Sequence, residues 1–283
     1  MKISPIQTQH LAEVGQFLHL HLNPRFTPER WISALTHPWA ASAPNHGMQL
    51  HDGDRLVGVF CAIYSDQTID GKLERFCNPH SWCVLESHRR QGIGLVLNLV
   101  KQAGYHFTMF TPNPKVAEVF RGLKFKDLDN RQFLCINLPS LKAWRRKAFA
   151  DANPETIAAR LSGQDHADFQ AHRDIPWLRF VAFGEGSDVC WVIYKPSWWK
   201  RMRSAWIMHI SDPVAFARHN GLLRHHLLRQ HGILTLRTEA RWLARAPALS
   251  MAAQRSQPKL VHSKSLGDGQ IRDLYSELMS LDV

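Results

Sequence analysis

Val84-Leu85-Glu86-Ser87-His88-Arg89-Arg90-Gln91-Gly92-Ile93-Gly94-Leu95 runs from the end of an apolar strand through a short basic glycine loop into an apolar helix. Each part has a physical use. Gly92 and Gly94 lack a Cβ that would keep an anion from the backbone, and the first amides of a helix point outward where its dipole favours negative charge. Arg89 and Arg90 add donors that suit paired phosphate oxygens. Alone, a Gly-x-Gly is also what any helix N-terminus with a tight turn requires, so the surrounding pattern must decide.

Upstream, residues 8–20 carry apolar positions at helical spacing, and Thr27-Pro28-Glu29 reads as an N-cap, a proline at the first helical position and an early acid. Asp52-Gly53-Asp54 marks a hairpin into the strand Arg55–Tyr64. Residues 73–85 form a further strand, in which Asn78-Pro79 predicts an edge, a bulge or a bend. Downstream, the apolar set Ile93, Leu95, Val96, Leu97, Leu99 and Val100 gives a buried helix that ends near Gly104. His106–Thr111 is a strand, Pro114–Leu123 a helix, and Phe125–Leu128 with Gln132–Leu138 a closing hairpin.

Arg89-x-x-Gly92-x-Gly94, with a valine five residues ahead of the arginine, resembles the signature of the GCN5-related N-acetyltransferase (GNAT) superfamily. Asn113-x-x-Val116-x-x-x-Phe120-x-x-x-x-Phe125 is similar to that family's second motif and follows in the expected order. The resemblance covers about residues 1–135. It implies an α/β (α+β) fold, with a mixed β-sheet splayed between its fourth and fifth strands and flanked by helices. Acetyl-CoA, or coenzyme A more generally, would lie in the splay as acyl donor. Its pyrophosphate would rest on Arg89, Arg90 and the amides of Gln91, Gly92, Ile93, Gly94 and Leu95. Its pantetheine would pair with the backbone at Val84 and Leu85, and Asn113 and Phe120 would complete the site.

Transfer to an amine also requires that the nitrogen lose a proton. Glu74 and His80, on the strand expected to line the cleft, are the leading catalytic candidates. Glu86 and His88 sit in the loop. Each is individually commoner as an ordinary hydrogen-bonded residue. Where the family often has a tyrosine to protonate the leaving thiolate, this chain has Phe120, which has no proton to give. Cys83, Ser81 and Tyr64 are the other donors within reach by sequence. Lys124 stands where the family has a turn glycine.

With 283 residues, 45% hydrophobic and 21% charged, the chain suits two soluble domains. The boundaries expected are a CoA-binding domain over 1–140, a linker over 141–154 containing Lys142, Arg145, Arg146 and Lys147, and a second domain over 155–283. The second half is expected to run through helices at 155–174, strands at 177–184, 188–195 and 204–211, a helix at 213–230, a strand at 233–239 and a last helix at 269–281. That order roughly repeats the first half, so a second GNAT-like domain is expected. Where its phosphate loop would stand the chain reads Asp212-Pro213-Val214. An aspartate there repels a pyrophosphate, so this domain would lack CoA binding and instead shape the acceptor side of the first.

Five cysteines with no CxxC pair give no disulfide framework or thiolate zinc site, and a cytoplasmic location is expected. No apolar run approaches the roughly 20 residues of a spanning helix. His19, His21, His219, His225, His226 and His231 lack ligand spacing, so no metal is expected. Trp198-Trp199-Lys200-Arg201 interleaves aromatic and basic residues, as a base- or membrane-binding loop does, but a hairpin turn is the plainer reading. The net charge of +11 and pI near 9.7 favour a polyanionic partner without choosing one. Three functions follow: an acyl-CoA-dependent N-acyltransferase acting on a small-molecule, sugar or peptide amine; a CoA-binding regulatory module without turnover; and, least supported, a nucleic-acid or anionic-surface binder.

Overall fold

The computed structural model describes residues 1–254 and 257–282, which form two units. Unit 1 holds Met1–Leu128, Gln257–Gln270 and the residues from Tyr275, and unit 2 holds the stretch from Asp129 together with Ile271–Leu274.

Unit 1 begins with β1 (Lys2–Pro5), α1 (Leu11–His21), α2 (Pro28–Leu35), β2 (Gly47–Asp52), β3 (Arg55–Ile69) and β4 (Lys72–Val84). As expected, Thr27 caps α2 by accepting the Arg30 N–H, and Pro28 opens the helix. Then follow α3 (Gly92–Val100), β5 (His106–Met109), α4 (Pro114–Gly122) and β6 (Lys126–Asp127). Helix α3 buries Leu95, Val96 and Leu99 on a cluster that includes Phe60, Phe107, Phe120 and Phe125. Each such side chain is worth about 1.5–3 kcal/mol when removed from water. On the other face, Val14, Leu18 and Trp31 from α1 and α2 cover Val59 and Cys61.

Unit 2 contains β7 (Arg131–Ile136), β8 (Ala148–Asp151), α5 (Pro154–Arg160), α6 (Gly163–His172), β9 (Arg179–Glu185), β10 (Asp188–Trp199), β11 (Met202–Ile210), α7 (Pro213–His231), β12 (Thr235–Glu239) and β13 (Ser250–Gln254). The chain then returns to unit 1 with β14 (Leu260–His262) and α8 (Glu277–Ser280).

The two sheets share one order. The first runs β1-β2-β3-β4-β5-β14-β6, and the second, read from β8, runs β8-β9-β10-β11-β12-β7-β13. In each sheet the sixth position is filled by a strand from the other half of the chain.

This exchange corrects several expectations. β6 and β7 are not a hairpin: β14 pairs antiparallel with both β5 and β6, while β7 pairs with β12 and β13. The boundary near 140 therefore fails, the expected linker contains β8, and the span 155–283 is not one domain. The last helix is also shorter than expected. It is reduced to one 3-10 turn, Asp268–Gln270, and the four-residue α8. A three-residue strand such as β14 carries too little periodicity to be recognised, and only its neighbours in space define it. The Trp198-Trp199 segment forms a hairpin turn at Lys200 and Arg201, both with positive φ. Among the described residues no helix is long and apolar enough to cross a membrane.

Candidate functional site

Strands β4 and β5 are parallel and pair at Phe76–His106 and Cys77–Phe107 only. Beyond Cys77 they part. Asn78 spans the start of the gap, its Nδ2 donating to Thr108 O at 2.8 Å, and Pro79 has no N–H to continue a ladder. On its other side β4 keeps β3, with a register shift that sets Phe60 opposite Trp82 and Cys61 opposite His80. Ser81 is the extra residue of this bulge and adopts φ +53°, a left-handed conformation that a residue with a Cβ rarely takes. The sequence reading of a bulge or bend near Asn78-Pro79 is met by both the gap and the bulge.

The gap opens into a cleft of about 180 Å³, lined by Pro79, His80, Ser81 and Trp82 on one side and Met109, Thr111 and Asn113 on the other. His80 is 5% exposed, its Nδ1 lies 2.8 Å from Ser81 Oγ, and its buried Nε2 has no hydrogen-bond partner among the described residues. Burial pushes its pKa down to about 3, so the ring is neutral. In the tautomer whose Nδ1–H donates to Ser81, Nε2 is a free acceptor. The Trp82 indole N–H is likewise buried without a partner. Asn113 borders the cleft as the N-cap of α4, accepting the Val116 N–H at 3.0 Å.

Glu74 is not part of this cleft. It lies on the far side of the Phe76–His106 pair, beside a separate groove of about 520 Å³ lined also by Lys101, Tyr105, His262 and Lys264. There it binds Lys72 at 2.7 Å and His106 at 3.0 Å, and these two bonds hold its carboxyl below the ordinary carboxylate range. Glu86 is exposed and paired with Arg89 at 2.6 Å, while His88 contacts Ser87 and Asp52. Phe120 is fully buried behind the cleft, 4.9 Å from Phe125 and 6.0 Å from Phe60 between ring centres. Tyr64 is buried and bonded to Asn45 and Gln102, and burial pushes Cys83 up to about 11. Of the hydroxyls and thiols considered from sequence, only Ser81 lines the cleft.

The basic loop is a 3-10 turn over Glu86–Gln91 that leads directly into α3. Arg89, Arg90 and Gln91 are exposed there, whereas Leu95 is buried in the core. Not every expected amide is open, because Gly92 N–H turns back to Arg89 O. The glycines also serve the sheet. A Cβ on Gly92 would lie 3.0 Å from Val84 Cγ2 and 3.5 Å from Trp82 Nε1, and one on Gly94 would lie 2.6 Å from Ile3 Cδ1. Leu85 N–H is taken by Val57 O, so it cannot pair with a ligand. Hydrogen-bonding groups alternate along an antiparallel ladder, which leaves those of Val84 toward the open edge.

Unit 2 repeats the parting of strands without the loop. β11 and β12 pair at Ser204–Trp206 with Thr235–Arg237 and no further. Asp212 caps α7, its Oδ1 accepting the Val214 and Ala215 N–H groups. The segment Ile271–Leu274 is tied in beside the end of β12: Arg241 binds Glu239, Asp273 and the Ile271 carbonyl, and His172 Nε2 meets Leu274 O at 2.6 Å.

No protein-family model and no curated protein matches the sequence. Solved structures do match its fold. A GCN5-related N-acetyltransferase from Anabaena variabilis is 10% identical and superposes with a TM-score of 0.60, over 92% of this chain and 72% of that one. One from Kribbella flavida is 12% identical with a TM-score of 0.57, over 92% and 71%. Eis1 from Mycobacterium abscessus is 13% identical with a TM-score of 0.54, over 92% and 73%. The chain has the fold of the GCN5-related N-acetyltransferases, as its two sequence motifs implied.

Proposed function

We propose that the protein is an acyl-CoA-dependent N-acyltransferase, with acetyl-CoA as donor and an amine as acceptor. The observation that carries the reading is the parting of β4 and β5 after Cys77–Phe107, which leaves a cleft with a neutral buried imidazole in its wall and a basic turn at the end of the same strand. The open edge of β4 at Val84 would pair with the pantetheine. Arg89 and Arg90 would meet the pyrophosphate at the start of α3.

In this reading the neutral amine attacks the thioester carbonyl, a C–N bond forms and the C–S bond breaks. The proton lost by nitrogen balances the one gained by the departing thiolate. His80 Nε2 accepts a hydrogen bond from the attacking N–H and so orients its lone pair. Burial makes His80 a weak base, so its work is orientation more than proton storage. Glu74 has no part in the reaction. Unit 2, with Asp212 occupying its own helix amides, leaves CoA to unit 1.

A second reading, CoA binding without turnover, is favoured by one observation: Phe120 is buried and has no proton for the thiolate. Calorimetry with CoA and thiol release from acetyl-CoA across an amine panel separate the two. Binding with turnover on at least one amine is expected. Absence of CoA binding would remove both readings.

A further inference from the structure

We propose that Glu277 is a positioning residue: with Asn78 it braces the end of β5 against β4 just past the last ladder pair, and so sets the width of the opening. The bonds form a closed circuit. Asn78, the first β4 residue beyond the ladder, donates from Nδ2 to Thr108 O and accepts the Glu277 N–H on Oδ1 at 2.9 Å. Glu277 Oε1 in turn accepts the Phe110 N–H at 3.2 Å and the Thr111 hydroxyl at 3.0 Å. A single residue, Glu277, thus joins both parted strands.

In an ordinary parallel sheet these backbone groups would find partners in the neighbouring strand. Here the strands have separated, and Glu277 supplies the partner instead. Glu277 is 2% exposed, and burial raises its carboxyl pKa, so a neutral amide is a fair substitute for it. The surroundings hold the brace in place. Ser276 caps α8, Arg30 donates to Ser280 O, Tyr275 packs edge-on against Trp39, and Leu281 enters the core beneath α1 and α2. Thr111 lines the cleft, so a shift of this brace moves a cleft wall.

The consequence for the acyl donor rests on the transferase reading; the consequence for the strands does not. Hydrogen exchange of the full chain, followed by peptide, tests the brace directly, with calorimetry for CoA alongside. Glu277→Gln keeps the acceptor and is expected to exchange and bind as the wild type does. Glu277→Met keeps the volume without the acceptor. It is expected to speed exchange over 108–111 by about tenfold or more, leave β1–β3 unchanged, and weaken CoA binding. Unchanged exchange at 108–111, or acceleration spread evenly through β1–β3, overturns the proposal. Should Glu277→Met not fold, Thr111→Val removes one donor only and is expected to give a smaller acceleration at the same peptides; none there also overturns it. If the wild type does not bind CoA, the exchange result still decides the brace, and the transferase reading alone fails.

Discussion

His80 Nδ1 and Ser81 Oγ lie 2.8 Å apart, and the serine that anchors the ring is the same residue that makes the bulge in β4. Backbone geometry and the candidate reactive group are therefore coupled. A left-handed residue with a Cβ costs about 1–2 kcal/mol, which glycine avoids at some cost in chain entropy. Ser81→Gly is expected to leave the melting temperature unchanged or slightly raised while lowering thiol release about tenfold, because the imidazole loses its partner. Equal losses in stability and rate would show that the hydroxyl matters only to folding.

His80→Gln is expected to lower kcat about 100-fold, the size of loss that misplacing a reacting group causes, with CoA affinity unchanged. It also has a pH signature. The folded pKa of His80 is depressed to about 3, so the unfolded chain binds more protons between about pH 6.5 and 3, and stability falls as pH falls through that window. One such group contributes at most about 1.4 kcal/mol per pH unit. His172 and His209 are depressed by burial with the same sign, so the difference between variant and wild type is the quantity to measure. A variant as acid-sensitive as the wild type would argue against a buried neutral His80.

Arg89→Glu is the clean test of the pyrophosphate site. Its side chain is exposed and, among the described residues, bonded to Glu86 on the same turn, so the fold should survive. A lost charged hydrogen bond of about 1.5–3 kcal/mol corresponds to a roughly 10- to 150-fold weaker CoA affinity in calorimetry. Gly92→Asp tests less, because its Cβ would press on Val84 and Trp82 and the variant would lose stability as well.

Lys124 has φ +66°, and the amides of Lys124 and Phe125 close the end of α4 onto Arg121 O and Phe120 O. That is the place for a C-terminal glycine. Lys124→Gly is expected to stabilise unit 1 by about 1 kcal/mol with no effect on thiol release. Thermal melting that falls instead would mean the lysine side chain contributes more than its backbone costs.

How far the residues alone carry depends on the range of the forces involved. The cap at Thr27, the apolar face of α3, the turn at Lys200-Arg201 and the irregularity near Pro79 each follow from neighbours a few positions apart, and all are visible in the sequence. So is the order of elements up to α4, and with it the basic turn at Arg89. Tertiary structure decided what depends on pairing between distant segments. Glu74 and His80 lie on one strand, yet a ladder that stops at Cys77 puts only His80 in the cleft. β7 and β14 exchange sheets because a strand of a few residues is defined by the edge that accepts it, not by its own pattern. Glu277 reaches Phe110 across 167 positions of chain, a separation at which no periodicity, cap or motif leaves a trace.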